Sequence, residues 1–216
     1  MSAGRTKRAD ATPRRVTAPL RAAARWRIEP LTPGRWDDFV TLFGPKGACA
    51  GCWCTWARMP AAEWRERGPG GRRAAMRRLV HAGGTPGLIA YGGATPVGWI
   101  AVGPRAHFRR YESSRLLAPV DERAVWSAPC FFVARTHRGR GLTVALLEAA
   151  ARWAAKHGAP CLEGYPVDTR GGRQAAVFVW TGLPQTFLAA RFHEVARRSP
   201  ARPIMRRELR APARRG

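Results

Sequence analysis

The chain has 216 residues, enough for one ordinary domain with a full core and too few for two, and an apolar fraction of 45% agrees. A formal net charge of +24 would ordinarily point to nucleic acid or an anionic membrane, but lysine occurs only at 7, 46 and 156, so the excess is arginine, and no motif that reads RNA or DNA accompanies it. No apolar run approaches ~20 residues, which excludes a helical membrane span, and five cysteines (49, 52, 54, 130, 161) without a signal-peptide core place the chain in a reducing cytoplasm.

Residues 1–25 hold seven basic side chains against one acid, with Pro13, Pro19 and no apolar period. That composition predicts a disordered tail, with an organelle transit peptide as the second reading. A second basic tail is expected over 211–216, leaving a domain over 26–210. Arg27 to Leu31 reads as an edge strand, after which Thr32 is expected to cap a helix that starts at Pro33 and runs to about Phe43. Gly44 to Gly51 is loop, and Cys52 to Trp56 is strand or buried loop. The thiols at 49, 52 and 54 do not match the usual zinc spacings, so no metal is expected and the cysteines read as small apolar residues.

Ala61 to Arg67 and Arg72 to His81 are predicted helices broken at Gly68-Pro69-Gly70-Gly71. In the second, Met76, Leu79 and Val80 make the apolar face, and Arg72, Arg73, Arg77 and Arg78 a solvated one. Gly87 to Tyr91 and Pro96 to Val102 form a hairpin about Gly92-Gly93. Pro104 to Arg115 then leaves the sheet with few apolar anchors, as a segment that overhangs a site.

The stretch from Cys130 to Asp168 organises the rest. It reads as a strand over Cys130 to Val133, a turn, then Arg138-Gly139-Arg140-Gly141. A helix follows, with Leu142, Leu146, Ala149 and Trp153 on one face and a stop at Gly158. A second strand spans Pro160 to Val167. A helix start presents unpaired amides and about half a positive charge, and glycines at 139 and 141 let the backbone approach an anion closely. Arg138 and Arg140 add positive charge, so a pyrophosphate fits. A Walker loop would need Lys followed by Ser or Thr where Leu142-Thr143 stand, and the dinucleotide fingerprint a third glycine where Val144 stands. Further on, Pro184 to Ala190 is a short helix, and Phe192 to Ala196 and Pro203 to Leu209 are strands.

Arg138-x-x-Gly141-x-Thr143 resembles the Gln/Arg-x-x-Gly-x-Gly/Ala pattern of the GNAT acetyltransferases, with Thr at the last position. The likeness extends over residues 31–209, through Cys52-Trp53-Cys54, Val97-Gly98-Trp99, Gly103-Pro104-Arg105, Cys130 to Val133, Glu163 to Pro166 and Arg202 to Arg207. It implies an α/β fold of the GNAT type: a mixed central sheet with a splayed central strand pair and helices on both faces. It also implies an N-acetyltransferase that moves an acetyl group from acetyl-CoA to a primary amine, on a small molecule or a peptide. Phe131, Phe132, Val133, Arg138, Gly139, Arg140, Gly141, Leu142, Thr143 and Val144 would then line the coenzyme, the strand by free backbone amides. The oligomeric state is left open between monomer and homodimer. Two rivals remain: a coenzyme-binding scaffold without catalysis, and a basic nucleic-acid-associated protein.

Acetyl transfer requires a neutral amine, and an alkyl ammonium of pKa ~10.4 sits about 3.4 units above neutrality, a deficit of roughly 4.6 kcal/mol. Glu163 stands where several members of the family carry a catalytic glutamate, so it is a candidate base; pairing with one of the many arginines is the other role open to it. Tyr165 and Asp168 are reserves for that role, and the acid is expected to be Tyr165 or a water. The family's usual acid, a tyrosine on the last helix, corresponds to Phe187, and the Gly-Phe that ends that helix corresponds to Arg191-Phe192.

Overall fold

The computed structural model of the chain describes residues 26–169 and 179–209. Both expected tails, and residues 170–172 of the connection after Val167, lie outside them.

Strand β1 (Arg27–Pro30) leads through a 3-10 turn (Pro33–Arg35) into helix α1 (Trp36–Phe43). The single helix expected from Pro33 is therefore split, and Thr32, although extended, makes no side-chain cap. Helices α2 (Ala61–Glu66) and α3 (Gly68–His81) follow. Gly68-Pro69-Gly70-Gly71 is thus the first turn of α3 rather than a break. Proline at the first positions loses no intrahelical bond, because the amides there have no carbonyl to meet. Arg72 also departs from the solvated face expected of it. Its side chain is buried, donates to the carbonyls of Trp64, Ala50 and Gly51, and lies over the Trp64 ring at 3.2 Å.

Strands β2 (Gly87–Gly92) and β3 (Thr95–Ala101) form the predicted hairpin. Then come β4 (Gly103–Pro104), β5 (Trp126–Ala128), β6 (Phe131–Val133), helix α4 (Leu142–Lys156), β7 (Cys161–Gly164), helix α5 (Pro184–Ala189), β8 (His193–Arg197) and β9 (Pro203–Glu208). The segment between β4 and β5 is better anchored than its composition implied, since Phe108 and Tyr111 are both buried.

The strands make two sheets, ordered β1-β2-β3-β6 and β4-β5-β7-β9-β8. All pairings are antiparallel except β5 with β7, where Trp126, Ser127 and Ala128 face Leu162, Glu163 and Gly164. After Ala128 the chain crosses at Pro129-Cys130 to the other sheet, and Phe131 to Val133 pair with Ile100 to Gly98 on β3. The parallel pair is therefore closed at one end and open at the other, which is the splay expected. Strand β7 stops at Gly164, short of the expected Val167, at the residue where its parallel partner β5 ends.

Helix α4 buries Leu142, Leu146, Ala150 and Ala154 against the sheets. Its approach needs a small residue beneath it, and a Cβ on Gly98 would lie 2.9 Å from Leu142. On the opposite face α1 and α3 pack Phe39, Phe43, Met76 and Val80 around the fully buried Trp99. Helices thus cover both faces, and the opening between β6 and β7 is left between them.

Candidate active site

The loop from β6 to α4 has the backbone that its glycines predict. Gly139 and Gly141 adopt φ of +69° and +78°, the left-handed region in which any Cβ would be strained, and Gly141 is the residue from which α4 starts. A 3-10 turn, Arg135–His137, precedes them. Arg138 folds back so that its Nε donates to the Val133 carbonyl at 3.1 Å. Gly139, Arg140 and Gly141 are exposed, and nothing stands within 4 Å of where a Gly139 side chain would begin. The turn that starts α4 is therefore exposed and arginine-flanked.

Below the loop lies a cavity of about 460 Å³ whose wall includes Phe131, Phe132, Val133, Arg138 and Thr143, five of the ten predicted coenzyme residues. Gly182, Leu183 and Thr186 form the other side. Leu142 belongs to the core, 2% exposed, and Val144 packs against that core, so these two offer the hollow backbone rather than side chain.

The strand amides differ from expectation. Ala101 N–H donates to Cys130 O and Ala134 N–H to Val97 O. Alternation along an antiparallel ladder then turns Phe132 towards β3, and Phe131 and Val133 towards the opening. Phe131 N–H does not remain free there, for it donates to Trp180 O at 2.8 Å, while Val167 N–H on the far bank donates to Gly182 O at 3.0 Å. Residues 180–182 thus lie between the diverging strands. Val133 keeps its N–H on the edge facing the cavity.

A second, apolar cavity of about 200 Å³ adjoins the first and shares Ala48, Cys49, Phe131, Phe132 and Trp180 with it. Four cysteines reach its wall, Cys49, Cys52 and Cys54 from one segment and Cys130, far from it in sequence, from the start of the strand end. Cys54 Sγ accepts from Trp99 Nε1 at 3.0 Å. The Cys130 thiol next to it, with that indole, lowers the Cys54 pKa, while the same contact and burial push Cys130 well up. Burial raises Cys52 to about 11.

The sequence left two roles open for Glu163, and the structure puts it in the ion pair. Its carboxylate is 1% exposed; Oε1 accepts from Arg206 Nη2 at 2.7 Å and Nε at 3.1 Å, and Oε2 accepts from the Tyr165 hydroxyl at 3.1 Å. Arg206 also holds Asp121, at 2.5 and 3.2 Å. Tyr165 oxygen is within 2.7 Å of Arg105 Nη1 and 2.8 Å of Ser127 Oγ. Burial, with the Glu163 charge beside it, pushes the Tyr165 hydroxyl well above the ordinary tyrosine value, which makes it a poor proton donor. Glu163 and Arg206 border a separate cleft that has no lining residue in common with the two joined cavities. Asp168 is held by Arg197 at 2.8 Å. Phe187 is fully buried, against Phe131 and Phe192, and Gly164 makes room for it: a Cβ there would lie 1.9 Å from its ring.

Which of the many arginines pairs with Glu163 was not legible in the sequence. Strand alternation could have placed Arg206 on one face of β9, but no local pattern links it to residue 163.

Residues 53–177 match the acetyltransferase (GNAT) family model. Solved structures agree in fold. A GNAT-family acetyltransferase of Streptococcus agalactiae superposes with a TM-score of 0.51 at 13% identity, covering 86% of this chain and 96% of that one. The polyamine N-acetyltransferase of Drosophila melanogaster gives 0.51 at 11% identity, over 85% and 100%. A protein of Corynebacterium glutamicum described as histone acetyltransferase HPA2 and related acetyltransferase gives 0.50 at 15%, over 87% and 98%. No curated protein matches the chain in sequence. Among the described residues no helix is long and apolar enough to cross a membrane. With the family model spanning more than half of the chain and the splayed sheet in place, this chain belongs to the GNAT family of acetyltransferases and is an acyltransferase.

Proposed function

We propose that the chain transfers an acetyl group from acetyl-CoA to an amine nitrogen by direct attack. One observation carries the reading: two positive-φ glycines lead into α4 through an exposed, arginine-flanked turn, and a cavity lined by Arg138 and Thr143 runs from there along Phe131 to Val133. Amides of residues 139–144 would hold the diphosphate, with Arg138 and Arg140 adding charge. The edge of β6 at Val133 would hold the pantetheine and the thioester. Acetyl-CoA supplies the activated acyl group, and its thiol, with a pKa near a cysteine's ~8.5, leaves without a strong acid.

In this reading Glu163 and Tyr165 act through the structure. Together with Arg206, Asp121, Arg105 and Ser127 they tie β5, β7 and β9 together next to the point where the strands part, which fixes the width of the opening. The lack of a hydroxyl at Phe187 favours one rival, a coenzyme-binding scaffold without catalysis. Thiol release from acetyl-CoA in the presence of amines decides between them: amine-dependent release supports the transferase, and coenzyme binding without release supports the scaffold.

A further inference from the structure

The acceptor's chemistry is written in the smaller cavity. Its wall combines Phe43, Trp56, Trp64, Phe131 and Trp180 with small residues and thiols, and among the described residues it contains no carboxylate, histidine or other charged side chain. The adjoining coenzyme cavity has only Arg138 as a charged residue. Residues 170–178, which precede Trp180, include no acid and no histidine, so the sequence itself denies the site a conventional base from that segment. Three of the four thiols on the wall do not replace one: Cys52 and Cys130 have raised pKa values, and the Cys54 sulfur already accepts from Trp99 and Cys130, while the fourth, Cys49, is exposed.

Among the described residues, an alkyl ammonium would therefore find no carboxylate to bind its charge and no carboxylate or histidine to remove its proton. It would meet both the desolvation cost of a cation and the roughly 4.6 kcal/mol of deprotonation. An amine conjugated to a ring is uncharged at neutral pH and meets neither. Size agrees, since an apolar cavity of about 150 Å³ is enough to bind benzene and this one measures about 200 Å³. The wall is also where backbone strain collects. Of the five non-glycine residues at positive φ among the described residues, Ala48, Ala50, Trp53 and Cys54 all belong to this one segment.

Resting on the transferase reading above, we infer that the cavity is the acceptor site and that the acceptor is an uncharged aromatic amine. Its nitrogen forms the bond to the acyl carbon as the carbon–sulfur bond breaks; the bonding pair goes to sulfur, and the proton lost from nitrogen ends on the thiol through solvent. No side chain has to act as base.

The test uses the full chain with acetyl-CoA and aniline, benzylamine or spermidine, following thiol release against pH, with coenzyme A affinity measured separately by calorimetry. Aniline should be the preferred acceptor, by at least about tenfold in kcat/KM, and its rate should be flat through the mildly alkaline range. An unassisted alkylamine would instead gain about tenfold per pH unit. Ala50→Trp, a substitution at the exposed rim of the cavity, should lower kcat/KM for aniline at least about tenfold and leave coenzyme A affinity unchanged. Preference for benzylamine or spermidine, no turnover of aniline by a chain that binds coenzyme A, or an Ala50→Trp enzyme as active as the parent overturns the acceptor class and leaves the coenzyme site standing. Failure to bind coenzyme A overturns the transferase reading and this inference with it.

Discussion

The loop at Arg138 to Val144 and the strand end at Glu163 to Tyr165 lie on the two banks of the same splay, yet they are built in opposite ways. The loop keeps its polar groups outward: two left-handed glycines, exposed arginines and helix amides with no carbonyl to meet. At the strand end every polar atom of Glu163 and Tyr165 is turned inward onto Arg206, Arg105 and Ser127, and both residues are 1% exposed. A group that is already fully hydrogen-bonded has little left for a ligand. In the proposed reading one bank binds the coenzyme and the other holds the gap at a set width.

The strongest way to break this contrast is to remove the partner from the closed bank. Arg206→Ala leaves the Glu163 carboxylate buried and unpaired, and should cost about 3 to 5 kcal/mol of stability, read from chemical denaturation. A loss below about 1 kcal/mol would mean that the pair is no more than a surface contact. On the open bank, Gly141→Glu puts a strained residue and a negative charge at the hollow. Coenzyme A affinity should fall at least about 100-fold, or roughly 2.7 kcal/mol, in a protein that remains folded by circular dichroism; undiminished affinity contradicts the loop's role. Glu163→Gln sharpens the difference between the banks. With Glu163 as a strut, unfolding midpoints should drop while kcat at a given pH falls by less than about tenfold; a base would give a loss of about 100-fold or more with stability kept.

The smallest effect concerns the end of α5. Phe192 N–H donates to Phe187 O at 3.0 Å and Arg191 N–H to Leu188 O at 2.9 Å, with the two phenyl rings in contact, a helix stop that normally has glycine in the left-handed position. Arg191 occupies it at φ +64°. Arg191→Gly should therefore raise stability by about 1 kcal/mol, visible as a shift in the denaturation midpoint.

The two banks also explain what could be foreseen. Gly139, Gly141 and the periodic face of α4 are local signals, since backbone conformation and helical spacing are encoded over a few neighbouring residues. The β2–β3 hairpin is legible for the same reason. Which role Glu163 takes depends on Arg206, 43 residues away, and on Asp121, 85 residues from that arginine. Only packing decides such a choice. The same holds for the cavity formed by Cys52, Cys54 and Cys130: their contact with Trp99 and Trp180 is tertiary, and CxxCxC considered alone suggested no more than buried thiols. The Gly68 to Gly71 turn was misjudged because glycine and proline are breakers inside a helix but harmless at its first turn, and the composition is the same in either place.

The central claim is that the amides at 139–144 bind the diphosphate of coenzyme A. Calorimetric titration with coenzyme A and with pantetheine, which has no diphosphate, tests it most directly on the unaltered chain and on Gly141→Glu. The account predicts that the unaltered chain binds coenzyme A far more tightly than pantetheine, and that Gly141→Glu removes this advantage while leaving pantetheine binding as it was. Equal affinity of the unaltered chain for the two ligands would contradict it.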